Sequence, residues 1–132
     1  LMEMGHSDEI VIGDGNFPGR ATAQQGGCVF LRADGHGVPE LLDAILQVMP
    51  LDAYVETPVM LMERMKCDLD MELPLWTRDE QIVVAHDERG AQAFGAYERF
   101  EFYRQAQRCF CIIQTSEQSQ YANIILQKGI VK

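Results

Sequence analysis

Apolar positions along the chain follow two different spacings, and each predicts its own kind of element. Ile10, Val11 and Ile12 are apolar in succession between Glu9 and Gly13. Such a run predicts a strand buried on both faces, as in the middle of an α/β sheet. Cys28–Leu31, Val59–Met65, Cys109–Thr115 and Tyr121–Gln127 read as four further strands. Leu41, Leu42, Ile45, Leu46 and Met49 instead make the stripe of an amphipathic helix, which Pro39 opens and Pro50 ends. Arg78–His86 reads as a second helix, broken by Gly90, and Glu98–Gln107 as a third, with Phe100, Tyr103 and Ala106 on one side. Asp14–Gly27 is rich in Gly, Asn and Pro and reads as loop, and Leu73–Trp76 as an extended connector. Leu1–Met4 resembles the last turn of a helix capped by Gly5, so an N-terminal helix is expected to be missing from the sequence. No repeat or linker divides the chain. The expectation is one α/β domain over residues 1–132, a central sheet flanked by helices.

Composition narrows the class of function. With 132 residues, 47% of them hydrophobic and 23% charged, the chain has the make-up of a soluble globular protein with a real core. Its formal charge of −9 argues against nucleic-acid partners and against an anionic membrane surface. No apolar run has the length of a bilayer span, and no leader resembles a signal peptide. The four cysteines, Cys28, Cys67, Cys109 and Cys111, form no Cys-x-x-Cys pair, so a zinc site lacks its usual spacing. Period-two alternation would put Cys109 and Cys111 on one strand face, as small apolar side chains. Reduced thiols and a cytoplasmic location are expected.

Candidate chemistry gathers at the two ends of the chain. His6 stands on a Gly-flanked turn before the first strand, a proton carrier suited to neutral pH. Asp14 follows the carboxyl end of that strand, where ligands gather in open α/β sheets. Fully extended, the intervening segment would separate the two by roughly 20 Å. They share a pocket only if the chain folds back or a second subunit closes the site. Tyr121 and Asn123 share a face if their segment is a strand, and offer the mixed donors and acceptors that sugar hydroxyls need. Arg99 adds a fixed fork of donors. Each has a plainer alternative: His6 solvated, Asp14 a turn former, Arg99 paired with Glu101 or its neighbours, Tyr121 and Asn123 edge-strand polars. His36 reads as part of a turn, and His86 as a partner of a helix C-terminus.

Several separate motifs recur in order along nearly the whole chain. They are Glu3-Met4-Gly5-His6-Ser7-Asp8-Glu9-Ile10, Asp14-Gly15-Asn16-Phe17-Pro18, Arg32-Ala33-Asp34-Gly35, Leu41-Leu42, Pro50-Leu51-Asp52-Ala53-Tyr54-Val55, Glu98-Arg99-Phe100-Glu101-Phe102-Tyr103 and Tyr121-Ala122-Asn123-Ile124-Ile125-Leu126-Gln127-Lys128-Gly129. Together they resemble the L-fucose mutarotase branch of the family that also contains D-ribose pyranase. The resemblance implies an α/β fold assembling into homo-oligomeric rings, commonly decamers, with monosaccharide sites near subunit boundaries. It places His6 on the catalytic proton donor, Asp14 and Arg99 on substrate-binding positions, and Tyr121, Ala122 and Asn123 on the C-terminal binding segment. Ser7 stands where glycine is usual, Gly15 where alanine is frequent and Ala122 where glycine is frequent. The implied reaction exchanges the α and β anomers of L-fucose through the open-chain aldehyde and needs no cofactor or metal, since no electron or group leaves the molecule. Two other readings compete: pyranose–furanose exchange of D-ribose, and a non-catalytic monosaccharide-binding module.

Overall fold

The run Ile10–Val11–Ile12 lies in the interior of a six-stranded sheet in the structure, a computed structural model that describes residues 1–132. In chain order the strands are β1 (Glu9–Gly13), β2 (Val29–Ala33), β3 (Val59–Met62), β4 (Phe94–Tyr97), β5 (Cys111–Thr115) and β6 (Ile124–Gln127). The helices are α1 (Gly19–Gly26), α2 (Val38–Leu46), α3 (Pro74–His86) and α4 (Arg99–Ala106), with short 3-10 turns at Lys66–Asp68 and Gly90–Ala93. Strand order across the sheet is β2-β5-β1-β6-β3-β4. β1 and β2 each pair parallel with β5, and β3 with β4; β6 runs antiparallel to both β1 and β3. The expected α/β class is the observed one.

Alternation along the strands explains the layering. Ile10, Ile12, Cys111, Ile124 and Leu126 point to one side, where Val38, Leu42 and Ile45 of α2 and Val83 of α3 meet them. Val11, Ile112 and Ile125 point to the other, against Ala23 of α1 and Phe102 and Ala106 of α4. Helices cover both faces, so β1 can be apolar throughout. Cys109 and Cys111 pack in these two opposite cores rather than on one face, because β5 begins only at Cys111 and Cys109 lies in the turn before it. β2 is an outer strand: Val29 and Leu31 are about half exposed, and Phe30 lies beneath the Arg20 guanidinium at 4.8 Å.

Several expected boundaries move. Part of the expected loop is helix α1, which has little apolar surface and ends where Gly27 adopts φ 70° as its C-cap. The expected connector at Leu73–Trp76 is mostly the first turn of α3, with Pro74 filling the position where a missing N–H costs nothing. β4 was not foreseen; it is a four-residue edge strand containing Gly95. β3 ends at Met62 and β6 begins only at Ile124, so Tyr121 and Asn123 precede the strand. Leu1–Met4 closes a single turn through the Met4 N–H and the Leu1 carbonyl, and Gly5 does not take the left-handed conformation of a cap. No helix is long and apolar enough to cross a membrane.

One group departs from the polar-out rule. Asp79 of α3 is fully buried, and neither carboxyl oxygen has a hydrogen-bond partner. Burial pushes its pKa up to about 7; the Glu117 and Glu80 charges act in the same direction and Arg78 against. The folded state therefore holds a proton there that the unfolded chain, with its ordinary value of 3.8, releases earlier. Stability from this group is full below about pH 4 and is lost as pH rises toward about 7. Urea unfolding should show wild type weakening between pH 5 and pH 8. Asp79→Leu should flatten that slope and raise stability at pH 8 by roughly 1–3 kcal/mol. Parallel pH profiles for the two proteins would contradict this account.

Candidate functional site

The carboxyl ends of β1, β3 and β4 share one edge of the sheet with the start of β6, because β6 alone runs the other way. The residues just beyond those ends close around a cleft of about 300 Å³. β1 delivers Asp14, Asn16 and Phe17; β3 delivers Met62 and Met65; β4 leads into Arg99 and Tyr103; the approach to β6 supplies Gln120, Tyr121 and Asn123. Four of the expected residues, Asp14, Arg99, Tyr121 and Asn123, thus come together.

Hydrogen bonds fix how each presents itself. Asn123 is buried, and its Oδ1 accepts the Asp14 backbone N–H at 2.7 Å, which leaves the amide nitrogen for the cleft. Asp14 Oδ1 accepts from the Asn16 N–H at 2.9 Å, and Oδ2 from the Ala122 N–H at 3.3 Å. Burial raises the Asp14 pKa, those backbone donors oppose the rise, and the Glu117 charge adds to it. Ala122 is fully buried and does not line the cleft, and its N–H is spent on Asp14. Tyr121 adopts φ 55°, a left-handed conformation that costs a non-glycine residue ~1–2 kcal/mol. It is held by Trp76 Nε1–H on its carbonyl at 2.8 Å and, at the phenol, by Asp68 and the Met65 N–H. Arg99 Nε donates to the Tyr103 hydroxyl at 3.2 Å, with the guanidinium 5.3–5.6 Å from the Phe100 and Tyr103 ring centres. Glu101 pairs with Arg104, so the alternative of an Arg99–Glu101 pair does not hold.

His6 is elsewhere. It precedes β1, at the opposite sheet edge, and its Nε2 lies 3.0 Å from Asp52 Oδ1. β1 alone spans roughly 16 Å between the two ends, so one chain does not bring His6 to Asp14. Asp52 is 1% exposed and His6 40%. Burial pushes Asp52 up, but the Tyr54 N–H, the His6 ring and the Gln127 amide outweigh it and hold the carboxyl below its ordinary value. An ionised carboxylate only accepts, so Nε2 carries the ring proton and Nδ1 is free to exchange one. Tyr54 packs beside the ring at 5.4 Å between centroids. His36 pairs with Glu40 and His86 with Asp43, both outside the cleft.

Asp52, Asp68 and Trp76 were not singled out from the sequence. Asp52 carries a local signal, a carboxylate that accepts its own backbone N–H two residues on. Asp68 and Trp76 reach Tyr121 from 53 and 45 residues away, and no local pattern marks them.

The model of the RbsD / FucU transport protein family matches residues 1–131. The fucose mutarotase of Homo sapiens is 42% identical over 133 residues, covering 99% of this chain and 84% of that protein. The crystal structure of FucU from Bifidobacterium longum superposes with a TM-score of 0.95 at 48% identity, over 100% of this chain and 91% of that one. The fucose mutarotase of Streptococcus pneumoniae in complex with L-fucose superposes with a TM-score of 0.90 at 38% identity, over 99% and 89%.

The turn bearing His6 carries its own strain, since Ser7 has φ 74°. Ser7→Gly should relieve it and raise stability by about 0.5–1 kcal/mol, read as a higher urea midpoint at unchanged slope. A lower midpoint would show that the serine is held there by something other than backbone geometry.

Proposed function

The chain belongs to the RbsD / FucU family, and on that premise we propose that it is a sugar isomerase that exchanges the α and β anomers of L-fucose. One observation carries the reading: Asp14, Asn123, Tyr121 and Arg99 converge on a cleft of about 300 Å³, room for one monosaccharide. A relative of the same fold is solved with L-fucose, which favours that sugar.

Opening the pyranose ring breaks the bond between the anomeric carbon and the ring oxygen as a proton leaves the anomeric hydroxyl and one arrives at the ring oxygen; closure on the other face of the aldehyde re-forms that bond and returns both protons. Asp14 accepts from sugar hydroxyls and the Asn123 amide donates to one. Arg99 and Tyr121 orient the ring, and Ala122 acts through Asp14. His6 carries the proton at Nδ1, with Asp52 fixing the ring. No electron or group leaves the sugar, so the reaction draws on no cofactor.

Since His6 and the cleft occupy opposite ends of β1, the reaction needs two copies, one lending His6 to its neighbour's cleft. A homo-oligomeric ring such as a decamer provides that arrangement. The surroundings of His6 suit a neighbour: Tyr54, Val48 and Val131 are 77%, 67% and 66% exposed. The unpaired thiols at Cys28, Cys67, Cys109 and Cys111 suit a reducing, cytoplasmic compartment.

Exchange NMR on equilibrated L-fucose, with D-ribose in parallel, tests the reading. Wild type should accelerate fucose anomer exchange more than ribose exchange, and folded His6→Ala should lose roughly 10²-fold or more. A folded, assembled wild type that leaves fucose exchange at its buffer rate would sink the enzyme reading. Co-refolding inactive His6→Ala with inactive Asp14→Ala should restore part of the activity through hybrid sites. No recovery from demonstrably mixed oligomers would rule out the shared site.

A further inference from the structure

The Tyr121 phenol has more partners than a surface tyrosine needs. Its hydroxyl donates to Asp68 Oδ2 at 2.5 Å and accepts from the Met65 N–H at 3.2 Å. Asp68 lies in the 3-10 turn after β3, and its carboxylate makes no other side-chain hydrogen bond. A phenol oxygen has one proton and two lone pairs. With the proton given to Asp68 and one lone pair filled by Met65, the second lone pair is all that remains for a ligand in the cleft. The backbone is held for this purpose too: the φ of 55° at Tyr121 is maintained by the Trp76 indole on its carbonyl.

We propose that Asp68 is a positioning residue that commits the Tyr121 phenol to accept, and not to donate, toward a bound sugar. The cleft therefore requires a hydroxyl, a group able to donate, on the sugar carbon that faces Tyr121. This deepens the monosaccharide reading and rests on it. A phenol free to turn would tolerate a fluorine or an ether oxygen at that carbon by donating to it. A phenol locked onto Asp68 rejects both, because two acceptors then face each other without a proton. The hydrogen bond to Asp68 also raises the phenol's pKa, a property measurable without any sugar.

Tyrosine labelled at the ring carbon bearing oxygen gives the first readout. In the sugar-free protein the Tyr121 signal should titrate above the ordinary tyrosine range and move down toward about 10 in Asp68→Ala. L-fucose binding, followed by chemical-shift titration so that turnover does not matter, should weaken about 3–10-fold in Asp68→Ala. In the Tyr121→Phe background the same change should have almost no further effect, because Asp68 acts through the phenol. Asp68→Asn, whose amide oxygen still accepts, should recover most of the loss. Among fucose analogues with one hydroxyl replaced by fluorine, the weakest binder to wild type should regain affinity in Asp68→Ala. An unchanged phenol titration, or an equal loss from Asp68→Ala with and without the phenol at matched melting temperatures, would overturn the role of Asp68 while leaving fucose exchange intact. A wild type that neither binds nor exchanges fucose would overturn the substrate reading and the sugar-selection half with it.

Discussion

β6 enters the sheet between β1 and β3 against the direction of both. In that register Ile12 lies beside Ile124, so the residues leaving β1 meet the residues arriving at β6. Asp14 and Asn123, 109 residues apart, then exchange contacts that neither could make locally: the Asp14 N–H to Asn123 Oδ1, and the neighbouring Ala122 N–H back to Asp14 Oδ2. A parallel β6 would carry Tyr121 and Asn123 to the end where His6 stands and leave Asp14 alone. The cleft is thus a product of one strand's direction, with Ile124 and Leu126 packed in one core and Ile125 in the other.

The two buried carboxylates at the ends of this arrangement are driven opposite ways. Asp14 is raised, because burial exceeds what its backbone donors return. Asp52 is equally hidden yet lowered, because a histidine, a carboxamide and a backbone N–H all favour its charged form. The difference follows from their surroundings: backbone N–H groups alone oppose burial at Asp14, whereas an imidazole and a side-chain amide join a backbone N–H at Asp52. Asp79 shows the contrasting case of a carboxyl buried with no such partner.

Much of this was legible in the sequence where signals are local. The continuous run at Ile10–Ile12 implied a strand with helices on both sides, and the stripe from Leu41 to Met49 implied α2. α1 was not legible, since Gly19–Gly26 has almost no apolar periodicity and is held by packing of Ala23 under the sheet. Asp14 and Asn123 were singled out, but in separate segments, a loop after one strand and another strand; their meeting depends on sheet order, which no spacing encodes. Tyr121 was expected in a strand, and its left-handed backbone comes from tertiary partners at Trp76, Asp68 and Met65. The separation of His6 from Asp14 could be read directly, because a strand's length follows from its residue count.

The outer strand β2 has a consequence of a different kind. It pairs only with β5, so its far side offers unused amide and carbonyl groups beside the bared Val29 and Leu31. Such an edge is a template for strand-on-strand growth, the first step of aggregation. The chain has only 11 basic residues against 20 acidic ones, yet two arginines are stationed here. Arg20 lies over Phe30, and Arg32, within β2 itself, is tied to Asp34. Charge and desolvation cost at that edge make addition of a foreign strand unfavourable. Guarding that edge against a foreign strand is thus a task given to two cations of an otherwise acidic chain.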